Sequence, residues 1–280
     1  MNVDVFRLFN ELGERVPVLS AVRPNGPDSI EAFEAAGGAQ GLLKQLASLL
    51  DLDAMTATGS SLRTNLESAR VHDPEVIRPV SRPFSDKPSI VILHGSLAPE
   101  SAVVKPGLRE GERRTQFSGP AVVYDDANEA LAAIRAGHVK PGAVLIVRGM
   151  GPKGGPGMAG PASMVVFALD SVGLQHDVAF VTDGQLSGLC NKGLTVAEVS
   201  PEAAVGGPLG LVEDGDIVSI DVDRQLLALD VDEDVLAERR ARRAPARLPG
   251  ATGYLSIYQR TVRPMSTGAV LVESSVPARK

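Results

Sequence analysis

The chain has no Trp, a single Cys190, and aromatic residues at only 4% of its 280 positions. One thiol cannot build a disulfide framework, and an iron–sulfur cluster normally takes about three or four cysteine thiolates, so any cluster has to come from another chain. Cys190 reads as a partly buried structural thiol. The few aromatic residues are not interleaved with the one basic cluster, Arg239, Arg240, Arg242 and Arg243. Bases therefore have no stacking platform, and no nucleic-acid partner is expected. The cluster follows DEDVLAE and reads as a solvated helix face with opposite-sign neighbours. No run approaches the roughly 20 apolar residues of a membrane span, and the first residues, MNVDVFRLFNELGERV, carry acids where a leader would be basic. Those absences, with a net charge of −6, point to a mildly acidic chain of the cytoplasm able to bury one or two cores.

The pattern divides near residue 80. Phe6, Phe9 and Leu12 fall at helical spacing, as do Phe33, Ala36, Leu42, Leu43 and Leu46, so residues 1–80 read as a helical segment ending in a linker. Asp28 and Ser29 stand where a cap would start the second helix, and Gly37-Gly38 interrupts it. Pro74, Pro79, Pro83 and Pro88 mark the linker. In residues 81–280 the apolar runs Ile90 to Leu93, Ala121 to Tyr124, Val144 to Val147, Val178 to Val181, Ile217 to Val222 and Leu226 to Val231 predict strands. Asp125 is expected to cap a helix through Ala130 and Ile134 that stops at Gly137. Glu213-Asp214-Gly215-Asp216 and Asp223-Arg224 read as hairpin turns. Periodicity alone gives a mixed α/β chain.

Two of these strand-like runs end in backbone-rich loops. Val144 to Val147 leads into RGMGPKGGPG, Ala162 to Val172 reads as a helix, and Val178 to Val181 leads into TDGQLSG, which presents Ser187 on a tight turn. Glycine-rich loops free amide N–H groups to face an anion. Lys153, Gly154 and Gly155 of the first loop and Gly184 and Gly188 of the second are thus candidate substrate-binding positions, with Lys192 beyond them. The two lysines can equally be solvated. A Walker loop is excluded because no Ser or Thr follows Lys153, and Pro152 spoils a dinucleotide fingerprint forced onto Gly149, Gly151 and Gly154.

Through RVPVLSAVRPNG, EAAGGAQGLLKQL, TATGSSL, LHGSLAPESAVVK, GPKGGPGM, TDGQLSG, VSPEAAVGGPLGLVEDGDIVSIDV and GYLSIYQRTVRPMSTGAV, the chain resembles the dihydroxy-acid dehydratase and phosphogluconate dehydratase family, which includes sugar-acid dehydratases. The resemblance covers the family's C-terminal half. It implies that residues 1–80 match the end of the N-terminal domain and that 81–280 form a β-barrel-like swivelling lid domain flanked by helices. It implies removal of water from a 2,3-dihydroxy carboxylate to give a 2-keto acid, with the serine of the turn, here Ser187, as the catalytic base.

The same resemblance assigns a magnesium-binding glutamate to the position of Gly160, which has no side chain to bind a metal. Asp170 and Glu198 are the nearest acids in sequence. The family often has arginine at the position of Gln185 and histidine at that of Glu198, changes that would disfavour an acidic substrate. A cluster and Mg²⁺ are therefore expected only with a cysteine-bearing N-terminal-half subunit, in a hetero- or homo-oligomer acting on a small carboxylate. The other readings are a non-catalytic structural or regulatory relative and an independent carboxylate-binding module.

Overall fold

Val144–Val147 and Ala179–Thr182 are buried at every position, the mark of strands covered on both faces. In the computed structural model, which describes residues 3–106, 114–155, 157, 160–243 and 252–272, they are central strands of a mixed sheet. The strands are β1 Val91–Leu93, β2 Ser101–Val104, β3 Gln116–Tyr124, β4 Val144–Val147, β5 Ala179–Thr182, β6 Thr195–Ser200, β7 Ile217–Asp221 and β8 Leu226–Asp230. The helices are α1 Val5–Gly13, α2 Ile30–Ala35, α3 Gly38–Gln45, α4 Leu62–Asn65, α5 Ala127–Arg135, α6 Gly160–Ser171, α7 Glu233–Arg242 and α8 Tyr254–Thr261. The described residues fall into two compact units, 3–90 and the remainder.

In the second unit the strand order is β1-β2-β6-β5-β4-β3-β7-β8, and a bridge between His94 and Leu226 links the two ends. The His94 N–H donates to Gln225 O at 2.9 Å and the Leu227 N–H to His94 O at 2.8 Å. The result is a nearly closed, barrel-like sheet, whose edges are thereby largely paired. Neighbours β3, β4, β5 and β6 are parallel; the first two connections are α5 and α6, as parallel strands need a crossover. Alternation sorts the side chains. Val144, Ile146, Ala179 and Val181 join one core with β1, β2, β7 and β8, while Leu145, Val147 and Phe180 join a second core with α5 and α6.

The predicted strands are all present, with ends shifted by a few residues. Two more, β2 and β6, lie in stretches the sequence left as loop. Three local expectations are corrected. Asp126, rather than Asp125, caps α5, accepting the N–H of Asn128 at 2.7 Å and of Glu129 at 3.2 Å, while Asp125 accepts from Arg148 Nε at 2.6 Å. Glu213–Asp216 is no hairpin: it leads from a 3₁₀ turn at Pro208–Leu211 into β7, and Asp214 accepts the Val123 N–H at 2.7 Å. The basic cluster on α7 is not simply a solvated face either. Arg239 is largely buried and bonds both oxygens of Asp216, at 2.5 and 3.0 Å, and Leu211 O at 3.0 Å.

In the first unit Ser29 caps α2 through the Ala32 N–H at 3.2 Å. Gly37, at φ +125°, separates α2 from α3; a Cβ there would lie 2.3 Å from Arg70 O. One core cluster gathers Ala36, Val76 and Ile77, with Phe33, Leu42 and Val71 packed against them, and Leu19, Ala21, Leu66 and Ala69 are buried elsewhere in the unit. Neither α1 nor α2 buries a residue. Among the described residues no helix is long and apolar enough to cross a membrane.

Candidate functional site

Because β4 and β5 are parallel neighbours, the loops that follow them leave the sheet side by side, an arrangement that gathers residues distant in sequence at one end of the sheet. The first runs from Arg148 and the second from Asp183. Asp183, fully buried, ties them together. Its carboxylate accepts the Met150 N–H at 2.8 Å, the Gly149 N–H at 3.1 Å and, from the segment after β6, the Ala203 N–H at 2.8 Å. Burial pushes its carboxyl above the usual range, against the pull of those amides.

A second buried carboxylate fills the glycine loop. Glu202 accepts the Lys153 N–H at 3.1 Å on each oxygen and the Gly154 N–H at 3.0 Å. Burial again raises its carboxyl; the amides of Gly154 and Lys153 oppose that shift and the nearby Asp183 adds to it. A Cβ on Gly151 would stand 2.3 Å from Glu202 Oε2, so the close wrap needs glycine there. The Gly155 N–H donates to Gly151 O at 2.9 Å. Amides that the sequence offers to an external anion are thus engaged by the chain itself. Lys153 Nζ donates to Gln259 O at 3.4 Å, and Gln259 Nε2 to Lys153 O at 3.2 Å, fastening α8 to the loop.

On the second loop Ser187 is half-buried. Its N–H donates to Ser163 Oγ of α6 at 3.3 Å, its Oγ accepts the Leu189 N–H at 3.2 Å, and its carbonyl accepts the Cys190 N–H at 3.0 Å. The hydroxyl is therefore oriented by its own turn. Gly184 packs on the first loop, where a Cβ would lie 2.6 Å from Met150 Cβ; Gly188 is exposed with open space around it. Lys192 pairs with Asp170 of α6. The structure thus joins Lys153, Gly154, Gly155 and Gly184 through Asp183 and Glu202, while Lys192 is held by a different element. Cys190 is buried in the outer core.

Gln185 and Glu198, read separately in the sequence, come together, with the Gln185 side chain among the groups that favour the charged form of Glu198. Glu198 adopts φ +56°, where few non-glycine residues go and strain is stored. The strain sits at a slip in the β2–β6 register, between the pairs Ser101–Ser200 and Val103–Ala197. The Glu198 N–H donates to Gly184 O at 3.0 Å, and Lys105 Nζ donates to Leu186 O at 3.2 Å. Burial raises the Glu198 carboxyl; Lys105 and Gln185 pull the other way.

Sequence reasoning missed Asp183, Glu202 and Lys105 as parts of the site. An acid at a strand end before glycine, and another inside an otherwise apolar stretch after Pro201, were the available signals. As for metal, no group of three or more His, Cys, Asp or Glu side chains able to hold an ion occurs among the described residues. Asp170 is taken up by Lys192. The residues present do not fit a cluster or an all-protein magnesium site.

Comparison with known proteins gives consistent matches along the chain. Residues 75–269 match the family described as dihydroxy-acid/6-phosphogluconate dehydratase C-terminal, and residues 1–65 match its N-terminal counterpart. A dihydroxy-acid dehydratase of Agathobacter rectalis is 43% identical over 267 residues, covering 94% of this chain and 47% of the relative. That of Syntrophobacter fumaroxidans is 44% identical over 268 residues, and that of Pyrococcus furiosus 42% over 265, each again covering 94% of this chain and 47% of the relative. The chain spans about half the length of the curated relatives it matches.

Proposed function

Because the chain belongs to the dihydroxy-acid/6-phosphogluconate dehydratase family, we propose that it is the C-terminal-half component of a hydro-lyase that converts a 2,3-dihydroxy carboxylate or sugar acid to a 2-keto acid. The observation that carries this reading is the anchoring of the Ser187 turn. Asp183 at its base is bonded to Gly149, Met150 and Ala203, so the loop bearing the hydroxyl is held rigidly against the glycine loop, as a preorganised catalytic group requires.

Ser187 Oγ takes the proton from C2 of the substrate. The C2–H electron pair forms the C2=C3 bond, the C3–O bond breaks, and the departing hydroxide takes up a proton as water; the enol product then tautomerises to the 2-keto acid. A free serine hydroxyl is a weak base, so its ionisation needs a cation beside it. The departing hydroxide likewise needs an electrophile. Among the described residues there is no fitting set of ligands for either, and in this reading both fall to the partner, a cysteine-bearing N-terminal half.

Gly160 favours a second reading, a non-catalytic structural or regulatory relative. It opens α6 with no side chain at the position where the family resemblance puts a metal-binding acid. A carboxylate-binding module is less well supported, since Glu202 would first have to leave the amides of Lys153 and Gly154. Mixing this chain with an N-terminal half and following 2-keto acid formation from 2,3-dihydroxy carboxylates tests the choice. Turnover that needs both components supports the first reading; turnover by the N-terminal half alone supports the second.

A further inference from the structure

The first unit has more apolar surface than core to hide it. Val5, Phe9 and Leu12 repeat at helical spacing along α1 and are 55%, 45% and 46% exposed. At Gly13 the helix end comes up to Pro88; a Cβ there would lie 2.9 Å from Pro88 Cβ. Helix α1 and residues 88–90 thereby line an apolar groove of about 470 Å³, completed by Val16 and Val18. The charged residues on α1, Arg7 and Glu11, pair with each other at 3.4 Å, so this pair leaves no net charge beside the groove. Its complement is an apolar surface.

We infer that this groove receives the part of the family's N-terminal domain that lies outside the matched residues 1–65, an inference that rests on the dehydratase reading above. The family's N-terminal description meets the chain only at residues 1–65, whereas the C-terminal one runs on to 269. The matched 267 residues make up 47% of a relative, so the uncovered half belongs with the domain that α1 to α4 help to build. The unit buries only Leu19, Ala21, Ala36, Leu66, Ala69, Val76 and Ile77 among its described apolar residues, and α1 contributes none of them, so the apolar face of α1 is left for another surface. An apolar face of this kind marks an interaction site.

Binding of this chain to a separately produced, cysteine-bearing N-terminal half tests the inference, read as Kd beside 2-keto acid formation by the mixture. Phe9→Asp and Leu12→Asp change exposed side chains of a helix with no buried residue, so both variants retain the fold by circular dichroism. Each weakens binding by at least about tenfold, while Met55→Asp, an exposed apolar residue of the same unit outside the groove, stays within about twofold of wild type. If all the variants bind alike and the mixture turns over, the groove assignment falls and the dehydratase reading stands. If the wild-type chain neither binds the N-terminal half nor turns over with it, both fall together. If the chain alone self-associates and Phe9→Asp makes it monomeric, the occupant is a second copy and the inference is overturned.

Discussion

Glu202 receives the backbone N–H of Lys153 on both carboxylate oxygens, at 3.1 Å each, across 49 residues of sequence. A loop whose glycines suggest an anion receptor is thus closed on an anion of its own. Glu202→Ala leaves the amides of Lys153 and Gly154, both half-buried, without this acceptor, at about 1–2 kcal/mol for each group, the lower part of the range for a stranded donor. The expected loss of about 2–4 kcal/mol is read from urea unfolding. Hydrogen exchange at those two amides should speed up selectively; unchanged protection at both would show that Glu202 does not hold the loop.

Two glycines in the same region should respond in opposite directions. Gly151→Ala places a methyl group 2.3 Å from Glu202 Oε2, an atom fixed by its hydrogen bonds, and should cost about 1–3 kcal/mol. Gly160→Ala meets nothing within 4 Å at the start of α6. By restricting the unfolded chain it should leave stability unchanged or raise it by up to about 1 kcal/mol. Thermal unfolding of the two variants decides, and equal destabilisation of both would contradict the packing described.

The carboxyls of Asp183, Glu198 and Glu202 are all raised, chiefly by burial. The folded chain therefore keeps these protons at a pH where the unfolded chain has released them. Their contribution to stability is full below the ordinary carboxylate range of about 3.9–4.3 and is lost as pH rises through the raised values. Glu198→Gln isolates one of the three. The stability of wild type minus that of the variant should shrink as pH rises from the ordinary range, followed by urea midpoints in a pH series; a difference that stays constant or grows would show that Glu198 is not raised.

Much of the barrel is legible in the sequence because strands buried on both faces are continuous apolar runs, as at Val144–Val147. The strands that stay hidden lack that signature. Opening on Ser101 directly after Pro99-Glu100, β2 offers only the short apolar run Ala102 to Val104, and β6 carries Glu198 in a left-handed backbone conformation at the point where its register slips. Asp125 and Asp126 are equivalent caps by residue type, and only Arg148, reaching across from the end of β4, decides between them. The site divides in the same way. The turn around Ser187 is local and can be read, whereas the filling of the glycine loop by Glu202 is a product of strand order.

The most direct test of the account is the turnover number of the assembled dehydratase carrying Ser187→Ala. The side chain is half-buried and its Oγ accepts the Leu189 N–H, so the substitution leaves assembly intact while removing the base. With the base removed, kcat should fall by at least about 10²-fold, the lower end of what a positioned base contributes, with binding of the two halves unchanged. Undiminished turnover in a fully assembled Ser187→Ala enzyme would contradict it.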